Sequence, residues 1–264
     1  MDQNLTLPLV SVNIATYNRG KYITEAIDSV LSQSFKNWEL IIVDDGSTDG
    51  TENIVSPYLN DPRIKYFKNE SNRNISYTRN RALLESKGRF IAILDSDDKW
   101  PDPDKLTKQV YFLDKHPDYG LIGTALIVIN SQGEKLNEEK KPSTDERIKQ
   151  QILFKNPITH SSVLYIRELV ISLGSYDLNL NGIEDYDLWL RLGQVSKLSN
   201  LSDYSTAYRK HDNNISLTNR LKLMAINIDL VKKYQTNYPH YHLALFRRKI
   251  RYLIFKLLNS LTKN

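Results

Sequence analysis

The sequence predicts an α/β fold on a mostly parallel, Rossmann-like sheet flanked by helices. Three observations carry this expectation. Short apolar runs alternate with amphipathic helical segments through the first hundred residues. The strongest of those runs stop at clusters of polar or acidic residues. With 40% hydrophobic residues among 264 positions, the chain can also bury both faces of a central sheet.

Residues 9–15 read as a buried strand, followed by a turn at 16–20. Ile23, Ala26, Ile27, Val30 and Leu31 recur at helical spacing and predict an amphipathic helix of about three turns. Residues 38–43 form the next strand, which stops at Asp44-Asp45-Gly46-Ser47. A helix over 51–59, a short strand over 64–67 and a helix over 76–86 then lead into the apolar, partly β-branched run 89–94. In a parallel sheet of this kind, ligands collect at the carboxyl ends of the strands, where Thr16, Asp45 and Asp97 are expected to lie.

Beyond Lys99 the pattern is less regular. Residues 105–115 predict a helix with Leu106, Val110 and Leu113 inward, and residues 121–130 a strand. The polar segment 131–144 reads as an exposed loop, 148–154 as a helix and 161–166 as a strand. Residues 185–192 read as a short helix and 217–234 as a longer one. In 242–264, Leu243, Phe246, Ile250, Leu253, Ile254, Leu257, Leu258 and Leu261 keep helical spacing.

Composition excludes several classes. With no cysteine there are no disulfides and no thiolate metal site. No apolar run reaches the roughly 18 residues of a membrane span. The opening residues lack the basic and apolar regions of a signal peptide, so a cytoplasmic location is the expectation. The net charge of +5 is unevenly spread: residues 230–264 carry eight Lys or Arg and no acid, which leaves −3 for residues 1–229. Nucleic-acid binding is therefore not expected, since the body is mildly acidic. The basic tail can lie on an anionic leaflet, or pack its apolar stripe on the domain or on a second subunit as a homodimer would.

The run Leu94-Asp95-Ser96-Asp97-Asp98 is the most informative segment. Three carboxylates within four residues at the end of a buried strand repel one another and lose solvation, and a divalent cation removes that penalty. If the extended geometry continues, Asp95 and Asp97 project to the same side, as two oxygen ligands of Mg²⁺ or Mn²⁺ would. An acidic turn or helix cap is the alternative.

Taken with its flanks, the chain resembles the family 2 glycosyltransferases. The matching segments are Val10-Ser-Val-Asn-Ile-Ala-Thr-Tyr-Asn-Arg19, Val43-Asp-Asp-Gly-Ser-Thr-Asp49 and Asn72 to Asn80. They continue with Leu94-Asp-Ser-Asp-Asp98, Glu184-Asp-Tyr-Asp-Leu-Trp189 and Tyr208-Arg-Lys-His211. The resemblance covers about residues 8–215. Ala15 stands where the family commonly has Pro, and Asn74 where it frequently has Gly.

The resemblance implies a GT-A fold: a catalytic domain over 1–215, with a nucleotide-binding half at 1–100 and an acceptor-binding half at 101–215, and a basic helical extension at 216–264. It implies inverting transfer from a nucleotide-diphospho-sugar, UDP-linked, to a glycan or lipid-linked acceptor in cell-surface polysaccharide synthesis. Thr16, Tyr17, Asn18, Asp45, Arg79 and Asp95 would hold the donor, with Tyr17 stacking on the base and Asp45 accepting from an imide N–H. Asp97 and His211 would ligate Mn²⁺ or Mg²⁺, with Asp98 in support. Asp185 would be the general base, and Glu184 and Trp189 would support it or the acceptor.

No phosphate loop, dinucleotide fingerprint or hydrolase nucleophile motif is present. The Gln-x-x-Arg-Trp signature of processive synthases is absent as well, so a single-addition transferase is expected. A nucleotidyltransferase and a non-catalytic glycan- or nucleotide-binding module are the alternatives.

Overall fold

A computed structural model describes residues 8–212 and 220–261. The N-terminal half runs β1 (Val10–Thr16), α1 (Gly20–Leu31), β2 (Trp38–Asp44), α2 (Thr51–Val55), β3 (Ile64–Lys68), α3 (Ile75–Glu85) and β4 (Phe90–Ile93). Then come α4 (Lys105–Lys115), β5 (Tyr119–Ile129), β6 (Lys135–Glu139), α5 (Asp145–Gln151), β7 (Leu164–Ile166), α6 (Arg167–Ser172), α7 (Glu184–Val195) and β8 (Lys197–Arg209). Two helices follow, α8 (Arg220–Lys233) and α9 (Tyr241–Leu261).

All eight strands join one sheet in the order β3-β2-β1-β4-β7-β5-β6, with β8 also on β5. Strands β1 to β4 pair in parallel, as the alternation of strands and helices requires. The other half is mixed: β7 is antiparallel to β4 and β5, β6 is antiparallel to β5, and β8 is parallel to β5. Strand β5 meets β7 with its first half and β6 with its second, while β8 follows it on the opposite edge.

Alternate strand residues feed two cores. Val10, Val12 and Ile14 of β1, Leu40 and Ile42 of β2, and Phe90 and Ala92 of β4 pack against Ile23, Ile27 and Val30 of α1 and Leu106, Val110 and Leu113 of α4. On the other face, Ile91 and Ile93 join Leu188, Trp189 and Leu192 of α7, and Leu230 and Val231 of α8 belong to the same cluster. Ala82 of α3 covers Ile41 and Val43 of β2.

Several expectations need correction. The predicted helix 51–59 splits into α2 and a 3₁₀ turn at Ser56–Asn60, whose second residue is Pro57. The segment 131–144 is not all loop, because Lys135–Glu139 forms the exposed, charged edge strand β6. Strand β8 falls where no element was predicted. It is a buried but polar strand: Ser205 and Thr206 are fully buried, and the Thr206 hydroxyl lies 3.0 Å from that of Thr124. Helix α6 was also unanticipated. Residues 217–219 of one predicted helix and 262–264 of the tail lie outside the described residues.

Lys105 at the start of α4 is fully buried, with its ammonium 3.9 Å from the centre of the Trp100 ring and Nζ donating to Gln109 at 2.7 Å. Burial holds its pKa well below that of a free lysine. A depressed pKa on a base means that the unfolded chain binds a proton the folded one resists. This term destabilises the fold at neutral pH and fades as pH approaches the unfolded value. Lys105→Met should therefore raise stability to urea at pH 7, and its advantage should shrink toward pH 10.

Candidate active site

The carboxyl ends of β1, β2 and β4 open on one side of the sheet, and a cavity of about 630 Å³ lies there. Tyr17 and Arg19 line it from the end of β1, Asp95 and Asp97 from the end of β4, Arg79 from α3, and Glu184 and Asp185 from the tip of α7. Asn156, His160 and Tyr208 complete the polar wall. A volume of this order is typical of a cofactor or small-ligand site.

Arg79 organises the floor. Its guanidinium pairs with Glu184 at the start of α7 and donates to Asp95 Oδ1 at 2.8 Å. Burial opposes its charge, but Glu184 and Asp95 more than restore it, and its pKa is raised. Burial alone would lift the Asp95 carboxyl. Arg79 and then His160, whose Nδ1 lies 3.2 Å from Oδ1, outweigh this and hold Asp95 well below the ordinary carboxylate range. His160 is fixed in turn by the Tyr176 hydroxyl, 3.0 Å from Nε2, and by stacking on Trp189 at 6.1 Å.

The extended geometry expected for the acidic run does not persist. The Asp98 amide donates to the Asp95 carbonyl at 3.0 Å, so the chain turns, and each carboxylate acquires its own partners. Asp97 Oδ2 receives Arg19 Nε at 3.2 Å and lies 2.9 Å from His211 Nε2. Asp98 is buried and accepts the Arg209 amide at 2.7 Å. Burial, then the charges of Asp97 and Asp95, push its carboxyl well above the usual range.

Strand β8 delivers His211. The Tyr22 ring of α1 stacks on the imidazole at 5.3 Å and lies under the Arg209 guanidinium at 4.7 Å. Asn18, Arg19, Lys21 and His211 line a second cavity of about 460 Å³.

Among the described residues no three His, Asp or Glu side chains form a self-contained metal site. The donor chemistry still fits Mn²⁺ or Mg²⁺. Asp97 and His211 offer one oxygen and one nitrogen 2.9 Å apart, as a two-residue anchor would when ligand oxygens and water complete the shell.

Glu184 stands in the first turn of α7, where the helix dipole favours an acid, and its Oε2 accepts the Gly182 amide at 2.6 Å. Burial raises the Glu184 pKa, Arg79 opposes this, and Asp185 adds to the rise. Asp185 beside it lines the cavity and takes one hydrogen bond, from Asn156 Nδ2 at 3.0 Å.

Other expected residues stand apart from the cavity. Asp45 is buried, and its Oδ1 accepts Asn69 Nδ2 at 2.7 Å and the Arg73 amide at 2.9 Å. Thr16 is buried at the end of β1, where its carbonyl accepts the Asp45 amide. Asn18 is held in the left-handed region at φ 51 by the Ser47 hydroxyl and the Thr48 amide. Trp189 is fully buried behind His160, so it forms core and not an acceptor floor. Asn74, at φ 80, caps α3 through the Tyr77 amide, which explains why glycine also suits that position.

Sequence reasoning assigned no role to His160, Asn156 or Arg19. Arg19 was visible within the first matching segment, whereas Asn156 stands in a loop and His160 opens a single 3₁₀ turn, neither with a periodic signal.

A parallel half-sheet with an acid-lined cavity at its carboxyl edge is where open α/β sheets bind ligands, and the solved structures that superpose on this one give the fold as GT-A. Residues 11–173 match the model described as Glycosyl transferase family 2. The chain is 38% identical over 70% of its length to the putative glycosyltransferase EpsE of Bacillus subtilis, covering 66% of that protein. It is 50% identical to the putative teichuronic acid biosynthesis glycosyltransferase TuaG of the same organism, over 40% of this chain and 42% of TuaG. Against the O-antigen biosynthesis glycosyltransferase WbnJ of Escherichia coli it is 31% identical over 78% of this chain and 81% of that one. The crystal structure of S. aureus TarS 1-349 in complex with UDP-GlcNAc superposes with a TM-score of 0.71 at 24% identity, covering 93% of this chain and 73% of that one. The mannosyltransferase PcManGT from Pyrobaculum calidifontis, in complex with GDP-Man and Mn²⁺, gives 0.69 at 18% identity over 94% and 70%. The chain belongs to glycosyl transferase family 2.

Removing Arg79 would leave Asp95 and Glu184 without their shared cation. Arg79→Met should cost about 3–5 kcal/mol in chemical denaturation. Adding Glu184→Gln in that background should recover part of the loss.

Proposed function

We propose that the chain is an inverting, divalent-metal-dependent glycosyltransferase. It moves one sugar from a nucleotide-diphospho-sugar, UDP-linked, to a hydroxyl of a glycan or lipid-linked acceptor in cell-surface polysaccharide synthesis. It acts from the cytoplasmic side, at the inner face of the membrane. The observation that carries this reading is that Asp97 at the end of β4 and Asp185 at the tip of α7 line one cavity, each with separate partners. The names of TuaG and WbnJ and the UDP-GlcNAc bound to TarS support the pathway class and the nucleotide.

Each residue then has a task. Tyr17, 43% exposed, offers a ring face to the base, and stacking of this type contributes roughly 1–3 kcal/mol. Asp45 lies outside the cavity wall, and its hydrogen bonds to Asn69 and Arg73 use Oδ1, so Oδ2 is the atom that would meet an imide N–H reaching past Tyr17. Asp95, pinned by Arg79 and His160, presents a fixed carboxylate to ribose hydroxyls. Arg19 brings positive charge to the diphosphate. Asp97 and His211 would hold Mn²⁺ or Mg²⁺, which when bound offsets charge developing on the departing nucleoside diphosphate.

Asp185 takes the proton of the attacking acceptor hydroxyl as the anomeric C–O bond breaks. Asn156 orients its carboxylate, and Glu184 is committed to Arg79, so Asp185 is the acid at the tip of α7 left to act as base. A single base with direct displacement inverts the anomeric carbon.

A panel of nucleotide-sugars with Mn²⁺ or Mg²⁺, scored for nucleoside diphosphate, tests the reading. Asp185→Asn should lower turnover by about 10²–10⁴ with stability retained. Asp97→Ala should abolish the metal-dependent rate. Full activity in either variant removes that assignment, and pyrophosphate as product would select the nucleotidyltransferase alternative.

A further inference from the structure

Helix α9 is oriented opposite to the simplest expectation for an amphipathic tail. Its packed side is formed by Ala244, fully buried in the larger core, and by Arg248, whose guanidinium donates to the Leu153 carbonyl at 2.7 Å and the Tyr186 hydroxyl at 2.8 Å. Further along, Phe255 lies under the Arg220 guanidinium of α8 at 4.5 Å. At roughly 100° per residue these positions share one face of the helix.

The apolar stripe lies on the other face. Leu243, Phe246, Ile250, Leu253, Ile254 and Leu257 recur every three or four residues, and each is between 39% and 64% exposed. Arg247 and Arg251 flank the stripe on one side, and Lys249 and Lys256 on the other; all four are exposed. Residues 230–264 contain no acid at all. Scattered exposed leucines are ordinary, but six in register on one helix face form a contiguous patch.

We propose that this face of α9 is a docking surface for an anionic phospholipid bilayer, on which the helix lies in plane. The inference rests on the membrane-side placement proposed above and assigns the surface that achieves it. The apolar stripe enters the boundary between headgroups and acyl chains, while the flanking cations extend sideways to lipid phosphates. The charge pattern selects this occupant over a second copy of the chain. Pairing two such stripes would bring like-charged flanks together, with no acid on either helix to offset them. The helix does not cross the bilayer: no helix among the described residues is long and apolar enough to do so.

Co-sedimentation of the full chain with phosphatidylcholine vesicles, with and without phosphatidylglycerol, tests the proposal. Binding should require phosphatidylglycerol and weaken as salt rises. Leu253→Ser with Leu257→Ser, and separately Lys249→Glu with Arg251→Glu, should each reduce partitioning by roughly tenfold or more. Circular dichroism should be unchanged, because these side chains are exposed. Nucleoside diphosphate release with a soluble acceptor and no vesicles should also be unchanged, so lipid docking and glycosyl transfer can fail independently. Wild-type protein that ignores phosphatidylglycerol vesicles, or variants that bind as well as wild type, would overturn the proposal. So would a dimer that the Leu253→Ser, Leu257→Ser pair dissociates while no lipid binding is seen, since a second copy would then cover the stripe.

Discussion

The arrangement of the site depends on one cation shared by two acids. Arg79 stands on α3, Asp95 ends β4 and Glu184 opens α7, and the guanidinium ties all three together. Strand β4 is central in the sheet, and α3 and α7 cover the same face of it side by side, α3 over β2 and α7 over β4 and the mixed half. The bridge therefore fixes how the two halves of the cavity face each other. A buried ion pair of this type adds little net stability, but breaking it is costly, and that asymmetry makes it a positional constraint.

The neighbouring acids follow the same logic. On an extended strand Asp95 and Asp97 would share one face and repel each other, with Asp98 adding its charge from the opposite face. The turn sends them to three separate partner sets: Arg79 with His160, Arg19 with His211, and the Arg209 amide. Asp185, by contrast, has a single hydrogen-bond partner among the described residues and a place in the cavity wall. The cavity thus holds carboxylates committed to structure beside others open to a ligand. Preorganised charge of this kind is the arrangement that stabilises charge developing during a reaction.

The parallel half of the fold was legible because its strands are short apolar runs that stop at polar or acidic residues, and α4 was predicted over the residues it occupies. The failures share a physical origin. Strand β8 is stabilised by buried hydroxyls and by pairing to β5, neither of which a count of apolar residues detects. Strand β6 is an exposed edge whose charges read as loop. In the site, Asp95 and Asp97 stood out by their position after a strand and Glu184 and Asp185 through the family resemblance, but their partners did not, because His160 and Asn156 reach the cavity only through long-range folding. Asp95 and Asp97 were read as sharing one side because the strand was extrapolated through what is a turn. The tail's periodicity was plain in the sequence; which face it turns to the body was not.

The most direct test of the account is a crystal structure with UDP and Mn²⁺. The account predicts the base against Tyr17, the diphosphate beside Arg19, the metal held by Asp97 and His211, and Asp185 facing the open end of the same cavity. A nucleotide bound elsewhere, or a metal that touches neither Asp97 nor His211, would contradict it.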